Sequence, residues 1–234
     1  MKKDRILVLD IDGTLSDSVG LHQSAFLAAM TALGLPDLDT DWGSYPHHTD
    51  TGILAHALAA GGRAQMLPHE QALFEQDLDQ HFVSRLSERG LVEIRGARAF
   101  VEAAGNTGWA VVYATGGIRS VSRRKLQAIG IAYAEPILMT ASEHASRTDL
   151  VAAAIERAKQ YYGIAEPRDV VSVGDGRWDL EVAGRLGIGF IGVGSPPAAD
   201  VLTSRGATVF PDLARAMPWL QGGGGPVSSA LPRA

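Results

Sequence analysis

The chain has 234 residues, 46% hydrophobic and 20% charged, with 21 Lys+Arg against 26 Asp+Glu for a formal net charge of -5, and it contains no cysteine. That excludes disulfides, thiolate metal centres and a cysteine nucleophile, leaving Asp, Glu, Ser, Thr, His and Lys to carry any chemistry. The acidic balance gives no nucleic-acid footprint, and no apolar run reaches the ~20 residues of a membrane span or the roughly 7–15 of a secretory leader. The expectation is a soluble, cytoplasmic protein of one large domain or two small ones, with no membrane partner.

In chain order, Ile6–Leu9 is a short apolar run ending in Asp10, the pattern of a strand buried on both faces. Comparable runs follow at Trp109–Ala114, Pro136–Met139, Val170–Val173 and Ile188–Val193. Between them, Leu150, Val151, Ala154, Ile155 and Ala158 mark one face of a helix, and Ala97–Ala104 and Val121–Ile129 read the same way. Buried strands alternating with helices predict an α/β fold with a parallel sheet. Residues 16–93 interrupt this rhythm. They show helical spacing at Phe26, Leu27 and Met30, a Gly/Pro/Asp-rich patch from Gly34 to Gly43, further helical stretches through Arg89 and no convincing strand. This is a helical insertion after the first strand. From Gly222 onward the Gly-rich composition is that of flexible coil.

Chemistry concentrates where the strands end. Asp10 and Asp12 stand at i and i+2 on extended chain, so both face one site. Two carboxylates there repel and are desolvated, and need a cation or a shared proton. A second strand runs into Gly174-Asp175-Gly176-Arg177-Trp178-Asp179, which puts Asp179 in the first turn of a following helix. Ligands of open parallel sheets bind outside the carboxyl ends of the strands. If the two strands are neighbours, the four carboxylates form a hard oxygen site suited to Mg²⁺. Thr115-Gly116-Gly117, after another buried run, offers a hydroxyl and backbone N–H groups for phosphate. Arg147, at the start of the helix through Ala158, supplies positive charge.

The order Asp10–Thr14 (DxDGT), Thr115, Arg147 and Gly174–Asp179 (GDxxxD) resembles the haloacid dehalogenase superfamily, in particular its phosphatase branch. The resemblance spans the chain except its tail. It implies a Rossmann-like core formed by residues 1–15 and 94–220, a helical cap of the first type at 16–93 and a flexible tail at 221–234. It further implies Asp10 as the nucleophile that forms an aspartyl-phosphate, and Asp12 as the acid that protonates the leaving oxygen and then the base that activates water. The Asp10 side chain, the Asp12 backbone carbonyl and Asp175 would bind Mg²⁺, with Asp179 direct or through water. Thr115, Gly116 and Gly117 would hold the phosphate oxygens. Asp12 favours phosphoryl chemistry over dehalogenation, because halide leaves without a proton. Arg147 departs from the more usual lysine, and neither Lys125 nor Lys159 is better placed for its role.

The cap loop Gly43–Asp50 sits where such caps carry specificity, so Tyr45, His47, His48, Thr49 and Asp50 are candidates for substrate contact. His47 and His48, adjacent and pointing apart if extended, do not suit a shared zinc. The expected activity is Mg²⁺-dependent hydrolysis of a small phosphorylated metabolite by a monomer or homodimer that is phosphoglycolate phosphatase-like. The alternatives are a sugar phosphomutase of the same fold and a non-catalytic phosphate-ligand binder.

Overall fold

A computed structural model describes residues 2–35, 38–63 and 67–222. The first strand, β1 (Arg5–Leu9), is buried along its whole length, as expected of an apolar run whose two faces are both covered. The others are β2 (Trp109–Thr115), β3 (Leu138–Thr140), β4 (Asp169–Gly174), β5 (Gly189–Val193) and β6 (Thr208–Phe210). All pair in parallel in the order β3-β2-β1-β4-β5-β6. Leu9 is level with Tyr113 of β2 and with Val173 of β4. The segments that follow these three strands therefore leave the sheet side by side.

Helices complete the α/β architecture: α1 (Val19–Ala32), α2 (Asp50–Ala60), α3 (Pro68–Arg89), α4 (Ala97–Gly105), α5 (Arg119–Ala128), α6 (Arg147–Tyr162), α7 (Arg177–Leu186), α8 (Ala198–Ser204) and α9 (Leu213–Gln221). α6 packs on β1, β2 and β3, α7 packs on β4 and β5, and α4 packs on β2 and α9. Between β1 and α4 lie α1, α2, α3 and a 3-10 turn at Trp42–Ser44, with no strand among the described residues. No helix of the described residues is long and apolar enough to cross a membrane.

Two differences from the sequence expectation have simple causes. Glu135–Ile137 forms a 3-10 turn, so β3 starts at Leu138 rather than Pro136; proline has a fixed φ and no N–H for the ladder. β6 went unpredicted because it is a three-residue edge strand, exposed to half-buried, with no continuous apolar run. Gln221 closes α9, and the coil expected beyond Gly222 lies outside the described residues.

The buried side chains form two main clusters. One lines the sheet and includes Leu7, Leu9, Phe100, Trp109, Tyr113 and Leu150. The other gathers Phe26, Met30, Phe74, Leu78 and Phe82 from α1 and α3 and reaches Ile118 and Val121 beside β2. Phe26 meets Trp42 and Phe74 edge-on, with ring centroids 5.8 and 5.7 Å away. Burying each such ring contributes roughly 1.5–3 kcal/mol.

Candidate active site

Asp10 is the first residue past β1, and its N–H continues the ladder to Val173 O of β4 at 3.0 Å. Asp175 follows β4, and Asp179 is the third residue of α7. Carboxylate oxygens of Asp10, Asp175 and Asp179 lie within 4.8 Å of one another. Gly13, at φ +73°, lets the two loops meet: a Cβ there would overlap the Asp175 carboxylate. Asp179 folds back on its own helix start, accepting from Gly176 N at 3.1 Å. Its place in the first turn thus serves both the helix terminus and the cluster.

Arg147 opens α6 and is buried. Its Nη2 donates to Asp10 Oδ1 at 2.8 Å and to Asp179 Oδ1 at 2.7 Å. Nε donates to Asp179 Oδ1 at 3.0 Å, and Nη1 to the His48 carbonyl at 2.9 Å. A lysine could not span three acceptors in this way; the planar fork of arginine can. Burial pulls its pKa down, but Asp179 and Asp10 outweigh that and hold it above its ordinary value.

Burial, with repulsion from Asp179 and Asp12, raises the Asp10 carboxyl to about 7 despite Arg147. Asp175 is likewise raised, by burial and then by Asp10 and Asp179. A set of oxygen donors that resists ionising together is the kind that a hard divalent cation relieves. The donor chemistry of Asp10, Asp175 and Asp179 therefore fits Mg²⁺, and Arg147 alone does not bring the carboxylates to their ordinary ionisation.

Asp12 is held separately. Ser18 Oγ donates to its Oδ1 at 2.5 Å, and Lys125 Nζ donates to Oδ2 at 2.7 Å while standing equally close to Oδ1. Burial pushes Asp12 up, but Lys125, His22 and these hydrogen bonds outweigh it and hold the carboxyl at about 2. Lys125, set aside above in favour of Arg147, is completely buried and belongs to the other aspartate. Its position on α5 was readable: with Val121 and Leu126 it falls on the buried side of the helix, and a lysine there needs a partner.

Thr115 ends β2 and Gly116 and Gly117 follow it, with Thr115 Oγ1 accepting from Gly117 N at 3.3 Å. At Gly116 a Cβ would overlap the His48 carbonyl and Arg147. Asp50, at the start of α2, fastens this turn from the helical side. Its N–H donates to Gly116 O at 2.7 Å, and its Oδ2 accepts from Ile118 N at 2.9 Å.

These groups face one cavity of about 140 Å³, also walled by Trp42 and Trp178. Asp10, Asp12, His48, Thr49, Gly116, Gly117, Arg147 and Asp175 line it. Thr115 and Asp179 are buried behind that lining. His48 stacks on Trp178 with centroids 4.1 Å apart. Burial, then Arg147 and Arg177, lower its pKa to about 4. Thr49 Oγ1 caps α2 by accepting from Gly52 N at 3.0 Å and donates to Ala145 O at 2.5 Å. The structure does not bring Tyr45 or His47 into this lining. The Tyr45 hydroxyl donates to Asp39 O at 3.0 Å and the ring packs among the helices, while His47 is exposed beside a neighbouring groove. His47 and His48 thus part company, His48 lining the cavity and His47 lying exposed beside the neighbouring groove.

The profile of haloacid dehalogenase-like hydrolases matches residues 5–187. Comparison with curated proteins returned no match. Among solved structures, a hydrolase from Pseudomonas syringae superposes with a TM-score of 0.69 at 20% identity, covering 95% of this chain and 99% of that one. A putative beta-phosphoglucomutase from Bacteroides vulgatus gives 0.71 at 16% identity, covering 96% and 91%. A predicted phosphoglycolate phosphatase from Haemophilus somnus gives 0.57 at 16% identity, covering 93% and 98%. At such identities the likeness concerns the fold.

Proposed function

The chain belongs to the haloacid dehalogenase-like hydrolases, and from that premise we propose that it is a Mg²⁺-dependent phosphatase of small phosphomonoesters. One observation carries the reading: Asp10 lies at the carboxyl edge of the sheet, 2.8 Å from Arg147 and facing a cavity that Asp12 and the Gly116–Gly117 turn also line.

An Asp10 oxygen attacks phosphorus; Asp12, held as a carboxylate by Lys125 and Ser18 in the free site, takes up the proton of the substrate's phosphate monoanion and delivers it to the departing oxygen as the phosphorus–oxygen bond to the alcohol breaks. Asp12, now a carboxylate, takes a proton from the water that attacks the aspartyl-phosphate, which releases inorganic phosphate and restores Asp10. Arg147 offsets charge on Asp10 and the transferring group, and the N–H groups of the Gly116 turn orient its oxygens. Asp10, Asp175 and Asp179, with the Asp12 backbone carbonyl, would hold Mg²⁺, which when bound supplies charge to match the phosphoryl oxygens. The helices of residues 16–93 act as the cap, with His48 and Thr49 at the substrate.

The test is phosphate release from p-nitrophenyl phosphate and from a panel of phosphorylated metabolites, with and without Mg²⁺. Release that requires Mg²⁺ and is lost in Asp10→Asn supports the proposal; equal activity in the variant refutes the nucleophile. Isomerised sugar phosphate without free phosphate would instead assign a phosphomutase.

A further inference from the structure

Beyond holding Asp12 ionised, Lys125 has no role in the chemistry described so far, yet its side chain is withdrawn completely from solvent. Burying an ammonium costs several kcal/mol unless its donors are matched. Here they are matched by the acid/base itself: Asp12 at 2.7 Å and His22 Nδ1 at 3.0 Å, with the Phe82 ring centroid at 5.5 Å. An ammonium only donates, so His22 Nδ1 accepts, and its Nε2–H is left to donate to Asp50 Oδ1 at 2.8 Å. Asp50 in turn holds Ile118 N at 2.9 Å. An unbroken chain thus runs from Asp12 through Lys125, His22 and Asp50 to the turn that follows β2.

Resting on the phosphatase reading above, we propose that Lys125 is the positioning residue of Asp12. With Ser18 it fixes both oxygens of the carboxylate where Asp12 lines the cavity. Through His22 and Asp50 that aim is coupled to the seating of α2 on the Gly116–Ile118 turn. Each aspartate of the pair accordingly has its own cation, Arg147 for Asp10 and Lys125 for Asp12. A purely structural lysine would tie α5 to α1 without affecting how a leaving group is protonated.

The distinguishing readout is the dependence of kcat/KM on the leaving group across substituted phenyl phosphates, from p-nitrophenyl to p-methoxyphenyl phosphate, with Mg²⁺ present. Proton delivery by a positioned group is worth roughly 10²–10⁴-fold, and it matters most for the poorest leaving groups. Lys125→Met and Lys125→Gln are expected to lose roughly 10²-fold toward p-methoxyphenyl phosphate and less than about tenfold toward p-nitrophenyl phosphate, steepening the slope. Because water activation slows as well, a burst of p-nitrophenol should precede steady turnover. A uniform loss across the series without a burst, or no loss at all, overturns the inference. Should circular dichroism show both variants unfolded, His22→Asn is read for the same steepening, and a wild-type slope there overturns it. Failure of the wild-type protein to release phosphate from any member would instead sink the phosphatase reading.

Discussion

The carboxyl edge of the sheet and the helical segment formed by α1, α2 and α3 contribute to one cavity in different ways. At the sheet edge, Asp10, Thr115 and Asp175 sit at or just past the ends of β1, β2 and β4, and parallel register brings those ends level. The helical segment has its own aromatic cluster around Phe26, Phe74 and Phe82. It meets the sheet edge through hydrogen bonds to backbone: Asp50 N to Gly116 O, Thr49 Oγ1 to Ala145 O, and Thr51 Oγ1 to Ala141 O. One region places chemistry by strand register. The other places itself by scattered contacts: these bonds to main chain, side-chain pairs such as Arg124–Asp79 and Lys125–His22, and apolar packing on Ile118 and Val121.

Breaking the sheet side should have the largest effect. Arg147→Met leaves Asp10 and Asp179 buried without their guanidinium, and is expected to cost about 3–5 kcal/mol in urea unfolding and at least roughly 10²-fold in kcat. Arg147→Lys should recover charge but not the three-acceptor fork, and so restore only part of both. Breaking the joint between the regions is milder. Asp50→Ala strands Ile118 N–H and His22, and a loss of about 1–3 kcal/mol is expected by the same measurement.

Proton linkage sharpens the contrast. Asp10 and Asp175 have folded-state pKa values above their ordinary value of 3.8. Their contribution to stability is complete below about pH 4 and is lost as pH rises through their folded-state values, about 7 for Asp10. Asp12, lowered to about 2, behaves oppositely: its contribution is present above pH 4 and lost in stronger acid. If Mg²⁺ binds the first pair as proposed, the gain in Tm on adding it should be larger at pH 8 than at pH 5, as differential scanning fluorimetry would record. Equal gains at both pH values would contradict the assignment of these carboxylates to the ion. The smallest effect belongs to the loop. His47→Ala should stay within about 0.5 kcal/mol in stability and leave KM unchanged, whereas His48→Ala, losing its stack on Trp178, should raise KM.

The same contrast accounts for what could be read in advance. Apolar runs ending in Asp10, Thr115 and Gly174 carry their meaning locally, so the parallel α/β sheet and the grouping of carboxylates were visible in the chain itself. The helix face of Lys125 marks it as a buried cation, but its partners Asp12 and His22 emerge only once α5 and α1 are packed together, because partners 113 and 103 positions apart leave no spacing signal. The loop was half legible. Its polarity marked Gly43–Asp50 as a contact region, but which side chain faces the cavity depends on the alternation and capping that Thr49 sets for α2. β6 left no trace because three half-exposed residues at a sheet edge need no distinctive composition.

The strand order also bears on how the polypeptide is built. β1 lies inside the sheet, and both strands that hydrogen-bond to it, β2 and β4, come later in the chain: Arg5 pairs with Trp109 and with Asp169. During synthesis β1 therefore has neither partner until β2 has left the ribosome, and one edge stays open until the chain as far as Gly174 has followed. Meanwhile α1 and α3, nearer in sequence, can already pack against each other. Closing loops of this length costs entropy before any ladder bond repays it. An open edge on a buried strand is the kind of transient surface that favours aggregation during folding.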